Sequence, residues 1–376
     1  MPDSTVDRLK AEVIDDLKRR FVGRDEVVDL IALAVVAGEH LFLYGPPGTA
    51  KSALIRQFAS SVRGRYFEYL LTRFSEPNEI FGPIDLARLR EGAVATVTTG
   101  MLPEAEFAFL DELFNANSAI LNNLLTVLNE RVYRRGAEVH RLPLLSLFSA
   151  SNHLAEDEAL GALFDRFLLR CHVDHLRRDA MPRLLAAGWA LERSAPGRPS
   201  VSASDLRALS ARVHEVDLSG VTEPYADVVF KIRDLGIAIS DRRAVKMLKL
   251  LAASALLSGR TAANPSDLWV LRYVWDRVEQ VDPLASLVNG VLERHRDEPA
   301  RHPLASPPEA VDAEDVARQI EALEGELEAE RAPTLAMLAR VREHAASLGD
   351  RSAWVAAEAD RRRLLDRVAR LLAKVG

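Results

Sequence analysis

Residues 40–60 join a short apolar run, HLFLY, to the turn GPPGTAKS and then to a helical pattern opening near Ala53. A buried strand that feeds a glycine-rich turn into a helix N-terminus restricts the fold severely. The backbone N–H groups of such a turn converge with those of the first helical residues, making an anion cradle, and a parallel α/β sheet is the architecture that holds it rigid. Gly45, Pro46, Pro47, Gly48, Thr49, Ala50, Lys51, Ser52 and Ala53 are therefore the candidate phosphate contacts, with Lys51 reaching the outer phosphates and Ser52 offering its hydroxyl to Mg²⁺. The motif G-x-x-x-x-G-K-[ST] expects glycine before the lysine, and Ala50 stands there instead. Alanine is tolerated if this position already has helical geometry, so the expectation is a negative φ at Ala50 with its N–H facing the phosphates, while Gly45 and Gly48 do the unusual turning.

Five β-rich apolar runs, His40–Tyr44, Tyr66–Leu71, Phe107–Leu110, Leu144–Ser149 and Leu168–Val173, alternate with helical patterns. That order describes an α/β domain with a five-stranded parallel sheet over residues 1–174. Two excursions interrupt it, at about 75–105 and 130–141. The first carries Phe81-Gly82-Pro83 and Gly92 and suggests a hairpin-bearing insertion; the second, Val132 to Val139, is a hairpin candidate. Loops projecting from a rigid sheet commonly carry partner contacts.

The run Glu106-Phe107-Ala108-Phe109-Leu110-Asp111-Glu112 supplies the second half of a nucleotide site. Its paired acids stand at a strand's C-terminal tip, where α/β sheets bind ligands. Asp111 is the candidate Mg²⁺ ligand, generally through water, and Glu112 the base that orients and deprotonates the water attacking a γ-phosphate. Asn152, ending the fourth strand, either fixes that water or senses the γ-phosphate. Arg166, in Leu163-Phe164-Asp165-Arg166-Phe167, lies too far along the chain to belong to its own phosphate cradle; it either salt-bridges a nearby acid or reaches a neighbour's nucleotide in a ring. Val22 and Gly23, ahead of a helix, suit the adenine side.

The strand signals stop near His175, and residues 175–294 are expected as an all-α lid. There Ser240 is a good N-cap and an arginine of the next turn, Arg242 or Arg243, is placed to report on the nucleotide; spacing does not choose between them. Residues 295–311 are proline-rich and aperiodic, an expected exposed linker. Residues 312–376 form a C-terminal helical bundle: residues 312–331 hold eight acids against two arginines, and residues 361–374 hold six basic residues and one Asp.

The net charge of −6 argues against a protein whose main work is coating nucleic acid. The single Cys171 cannot form an intramolecular disulfide, no Cys/His spacing matches a zinc site, and no apolar run approaches a membrane span, so a cytoplasmic setting without membrane insertion is expected.

The lysine loop, Asp-Glu strand end, Asn strand end, Asp-Arg-Phe and Ser-x-Arg, in this order, resemble the AAA+ ATPases. The Ala-Lys-Ser form of the loop and LLTVLNERVYRRG resemble the MoxR family, and EYLLTRFSEPNEIFGPI, LPEAEFAFLDE, ISDRR and SALLSGR resemble its RavA-type branch, here without that branch's inserted β-rich domain. The resemblance covers roughly residues 10–290. It implies an AAA+ P-loop core with ATP and Mg²⁺ as cofactors, Lys51, Ser52, Asp111 and Glu112 at the Walker positions, Asn152 as sensor 1, Arg166 as arginine finger and Arg242 as sensor 2. It further implies a homo-oligomeric, generally hexameric, ring that acts like a chaperone on a protein client through a partner with a von Willebrand factor A domain. Two other functions stay open. One is a nucleic-acid remodeller using Arg134, Arg135, His140 and Arg141, and the other is an ATP-gated scaffold in which hydrolysis only resets assembly.

Overall fold

The computed structural model describes residues 4–154, 161, 163–176, 180–193, 201–305, 313–329, 337–338, 341–342, 345, 348, 352 and 358–375. The chain divides into two compact units, Met1–Ala305 and Ser306–Gly376.

In the first unit, strands β1 (Leu41–Tyr44), β2 (Tyr66–Leu70), β3 (Phe107–Asp111), β6 (Ser146–Ser151) and β7 (Leu169–His172) form a sheet of order β2-β3-β6-β1-β7. Every neighbouring pair is parallel. The order reverses at β1, so its C-terminal end faces a crevice flanked by β6 and β7, where open α/β sheets take ligands. Register brings the tips level: Tyr44 pairs with Ser151 and His172, and Asp111 with Ala150. The central strands are buried along almost their whole length because helices cover both faces. Among these, α3 (Asp25–Ala37) buries eleven consecutive residues, Val27 to Ala37, and α4 (Lys51–Ser61) buries Leu54, Ile55, Phe58 and Ala59. Ahead of them, α1 (Ser4–Arg8) and α2 (Asp15–Arg20) are joined by a π-helical turn at Leu9–Ile14.

The second excursion is the expected hairpin, β4 (Val132–Arg135) antiparallel to β5 (Glu138–Arg141), following α7 (Ser118–Glu130). The first differs from its expected hairpin form. Its arms meet at one bridge, Ile84 with Thr96, and its body is helical, α5 (Pro77–Phe81) and α6 (Leu86–Arg90). The cause is local: Glu76 and Glu79 form a capping box with Pro77 at the first helical position, and the Asp85 carboxylate accepts from Ala87 and Arg88 N–H. The two excursions pack as one body. Phe81 stacks on Tyr133 with centroids 4.5 Å apart, Thr96 Oγ1 donates to Glu138 at 2.8 Å, and Arg135 donates to Gly82 O at 3.0 Å and Asn78 Oδ1 at 2.9 Å.

Residues 180–305 add helices α8 (Met181–Arg193), α9 (Ala203–Ala211), α10 (Thr222–Asp234), α11 (Asp241–Leu257) and α12 (Val281–Arg294), and they share one apolar core with the sheet. Within the expected exposed linker, Arg296, Asp297, Pro299 and Ala300 are exposed, but His302 is buried and stacks on Trp269 at 4.5 Å, while Arg272 donates to Leu304 O at 2.7 Å. A flat imidazole held neutral by burial covers an indole face well, which composition alone does not reveal. The remainder of that linker, 306–311, lies outside the described residues.

In the second unit, α13 (Ala313–Ala329) and α14 (Glu358–Val375) bury Val316, Ile320 and Leu323 with Leu364, Val368 and Leu371. Arg367 bonds Glu324 at 2.6 Å, one link between the acidic and basic helices that the charge pattern suggests.

Candidate active site

Three strand tips and one helix start build the site. Gly45 leaves β1 by donating to Ser151 O at 3.1 Å, with φ at 150°. A Cβ here would lie 2.0 Å from Val173 O, so glycine lets the chain turn against β7. Gly48 (φ 78°) and Ala50 (φ 65°) are left-handed, and α4 begins at Lys51. The expectation for Ala50 is therefore overturned: φ is positive, and Ala50 is the N-cap of α4 rather than part of it. A left-handed residue at that point swings the chain from the turn into the helix axis, which a helical Ala50 would not do. The methyl is tolerated because it is exposed. Such a residue costs about 1–2 kcal/mol relative to right-handed geometry, held in place by the strand and helix on either side.

Lys51 Nζ lies over the loop, donating to Gly45 O at 2.9 Å, Pro46 O at 2.8 Å and Thr49 Oγ1 at 3.3 Å. Burial lowers its pKa, and the neighbouring Asp111 and Glu112 charges oppose that shift. Burial likewise raises Asp111, against the Glu112 N–H it accepts at 3.1 Å. A half-buried carboxylate in this condition gains from a cation, and with the Ser52 hydroxyl on the first turn of α4 it makes the sparse oxygen set that Mg²⁺ accepts when water and phosphate supply the rest. Among the described residues no cluster of three or more His, Cys, Asp or Glu is arranged for a metal, so an all-protein cage is not the alternative. Loop geometry and donor set fit a Mg²⁺-nucleotide.

Glu112 has φ 53°, a second left-handed non-glycine residue at this end. Its carboxylate accepts from Ser151 Oγ at 3.4 Å and lies 3.9 Å from His153 Nδ1. Asn152 is exposed at the tip of β6, its Oδ1 2.8 Å from His153 Nδ1. Ser151 and His153 thus join Glu112 and Asn152, and neither was singled out from the sequence; their adjacency to Asn152 at a strand end was the available signal. Arg24 belongs to the stretch Phe21–Glu26 expected on the adenine side. It donates to Thr49 O at 3.1 Å and Asp174 O at 2.8 Å, tying the Val22–Gly23 segment to the loop. Val22 is buried and Gly23 has φ 66°.

Arg166 is not joined to this cradle by any hydrogen bond or ion pair among the described residues. It lies 3.7 Å from Asp165 and lines a cavity of about 20 Å³ with Ser240, Arg242, Arg243 and Lys246. Its Nε is buried without a partner. Of the two candidate lid arginines, Arg243 is buried in ion pairs with Asp276 at 2.9 Å and Asp165 at 3.8 Å, whereas Arg242 is exposed on the same turn of α11. Only Arg242 keeps its guanidinium available.

A five-stranded parallel sheet, a lysine loop at its switch point, an adjacent Asp-Glu tip and a helical lid define an AAA+ ATPase. Residues 7–211, more than half of the chain, match the family described as the MoxR domain in the MoxR-vWA-beta-propeller ternary systems, and residues 226–288 match an AAA lid domain. The chain belongs to this MoxR family. An uncharacterized protein of Methanocaldococcus jannaschii is 36% identical over 290 residues, covering 76% of this chain and 75% of its own length. The chaperone MoxR1 of Mycobacterium tuberculosis is 28% identical over 185 residues, 46% of this chain and 48% of the relative. A solved structure from Cytophaga hutchinsonii, described as a candidate ATPase, shares the fold with a TM-score of 0.62 at 18% identity, covering 77% of this chain and 94% of that one. No helix among the described residues is long and apolar enough to cross a membrane.

Proposed function

We propose that this protein is a Mg²⁺-dependent ATP hydrolase that works as a ring, generally a hexamer, and couples turnover to remodelling of a protein client together with a von Willebrand factor A domain partner. The observation that carries the hydrolase reading is the meeting of Lys51, at the start of α4, with Asp111 and Glu112 at the tip of β3. Lys51 and the α4 N-terminus neutralise charge on the phosphates, Ser52 and Asp111 hold Mg²⁺, and Glu112 accepts the proton of the attacking water with Asn152 beside it. When bound, Mg²⁺ would supply Lewis-acid polarisation of the terminal phosphate. Arg166 completes the site of the neighbouring subunit, and Arg242 reports on the chain's own nucleotide.

The partner is supported by the family description and by apolar residues exposed on the joined excursions: Leu86, Leu89, Val94 and Val139. The RavA-type motif resemblance and the chaperone-named relative favour a protein client. The nucleic-acid reading loses ground at one of its four candidate contacts, because Arg135 is spent holding the first excursion, donating to Gly82 O and Asn78 Oδ1. A reducing cytoplasmic setting fits the buried, unpaired Cys171.

Glu112→Gln is expected to keep ATP binding while kcat falls about 10²- to 10⁴-fold. Arg166→Ala is expected to keep binding and lose about 10³-fold or more in turnover. Normal hydrolysis by either variant would sink the assigned roles. Co-purification of a von Willebrand factor A domain partner with the Glu112→Gln protein in ATP, and not in ADP, tests the coupling.

A further inference from the structure

Arg170 on β7 and Arg243 on α11 are both almost fully buried and bond the same carboxylate oxygen, Asp276 Oδ1. Two buried guanidiniums are costly unless their donors are met, and here nearly all are met by groups that matter to the site. Arg170 Nε donates to Phe167 O and Nη2 to Phe164 O, both at 3.1 Å, and its guanidinium stacks 3.9 Å from the Phe164 ring centroid. Those two carbonyls bracket Asp165 and Arg166, so Arg170 grips the turn that presents Arg166. Arg243 Nη1 donates to Ala238 O at 3.0 Å and Nη2 to Val274 O at 2.7 Å, fixing the first turn of α11, which carries Arg242. Asp276 Oδ2 accepts from Ala238 N at 3.0 Å, closing the connection on the lid side, and Arg243 also reaches Asp165 at 3.8 Å.

We infer that Asp276 is a positioning residue that couples the α11 turn carrying Arg242 to the turn carrying Arg166, so that the nucleotide read by one subunit sets the finger offered to the next. This rests on the proposed roles of Arg166 and Arg242. No other carboxylate among the described residues bonds both Arg170 and Arg243, and Asp276 touches neither the phosphate loop nor the Asp111-Glu112 tip. A shift of α11 that moves Arg242 drags Arg243, then Asp276, then Arg170 and the Phe164–Phe167 turn, because each link is a charge-assisted hydrogen bond made by a buried guanidinium.

The test is a double-variant cycle on steady-state hydrolysis and nucleotide affinity. Asp276→Asn is expected to lower kcat about tenfold or more with KM and ADP affinity within about twofold, and Asp276→Glu to restore part of it. Combined with Arg242→Ala, it is expected to lose little more than the worse single variant, because both break one coupling. Multiplicative losses, or an Asp276→Asn protein with lowered melting temperature and unchanged kcat, overturn the inference. If Asp276→Asn does not fold, Arg243→Lys serves. It keeps the cation but cannot hold Asp276, Ala238 O and Val274 O together, and the same cycle with Arg242→Ala decides in the same way. Full turnover by Arg166→Ala or Arg242→Ala alone refutes the finger or sensor reading instead, so the two failures are distinct.

Discussion

The two ends of the central sheet are built from similar residue types and use them oppositely. At the N-terminal end, His40 Nδ1 accepts from Leu147 N at 3.0 Å and Ser146 Oγ donates to Glu39 O at 2.7 Å. Lys249 reaches the Glu39 carboxylate at 3.1 Å, and Arg131 donates to Gly38 O at 2.8 Å and Leu128 O at 3.1 Å while lying against the His40 ring. Arg131 is left-handed, with φ 55°, and its own guanidinium repays that strain. At the C-terminal end, Ala50 and Glu112 are equally left-handed, but the alanine has no polar side chain to offset it and the glutamate carboxylate has long contacts, 3.4 Å to Ser151 and 3.9 Å to His153. Polar groups at the first end are consumed by the fold. Those at the second are the groups proposed to meet the nucleotide, at a local cost that the neighbouring elements carry.

Breaking each end in turn should give opposite phenotypes. The largest effect is expected from Lys51→Ala, which removes the amine that folds over the phosphate loop: ATP binding, measured by fluorescence titration, should weaken at least about 100-fold, with the melting temperature nearly unchanged. Retained affinity would mean that the open end is not where phosphate binds. Arg131→Ala should do the reverse. It strips donors from buried carbonyls at the closed end and is expected to cost about 2–4 kcal/mol in chemical denaturation, while kcat per folded subunit stays within about twofold.

Proton uptake sharpens the contrast. Burial holds His40 well below its ordinary value of 6.5, and the nearby Arg131 adds to the effect; burial also pushes His302 down to about 3. Both stay neutral when folded, whereas the unfolded chain protonates them near pH 6.5. Their contribution to stability is complete above that pH and is lost as the pH falls, by up to about 1.4 kcal/mol per unit for each group. Urea midpoints at pH 7.5 and 5 should therefore fall steeply for the wild type and less for His302→Gln. Equal slopes would show that His302 is not buried against Trp269.

The smallest effect is expected at Ala50. Ala50→Gly relieves the left-handed strain and should stabilise the protein by about 1 kcal/mol, less the extra freedom it gives the unfolded chain, without weakening ATP binding. A destabilised variant would show that Ala50 does not need positive φ.

Much of the site was legible because it is local in sequence. GPPGTAKS places its lysine and serine by adjacency, and FAFLDE places two carboxylates at a strand end by the apolar run before them. The same locality revealed the five strands, although the fourth, expected at Leu144–Ser149, is shifted by two residues to Ser146–Ser151, where its serines blur the apolar pattern. Periodicity also found the helical portion. It could not find the Trp269–His302 stack, since that depends on which aromatic face lies uncovered after folding.

The backbone angle of Ala50 escaped for a related reason: alanine's intrinsic preference is helical, and the requirement for a left-handed turn comes from where β1 ends and α4 must begin. Likewise the ISDRR segment named two arginines and gave no reason to separate them. Asp165 and Asp276, distant in sequence, draw Arg243 inward and leave Arg242 exposed. Sequence alone determined the chemistry, a lysine loop with paired acids on a parallel sheet, because those groups are neighbours along the chain. Tertiary structure decided which residues are spent holding the fold and which remain for the nucleotide, because burial and shared partners arise only when distant segments meet.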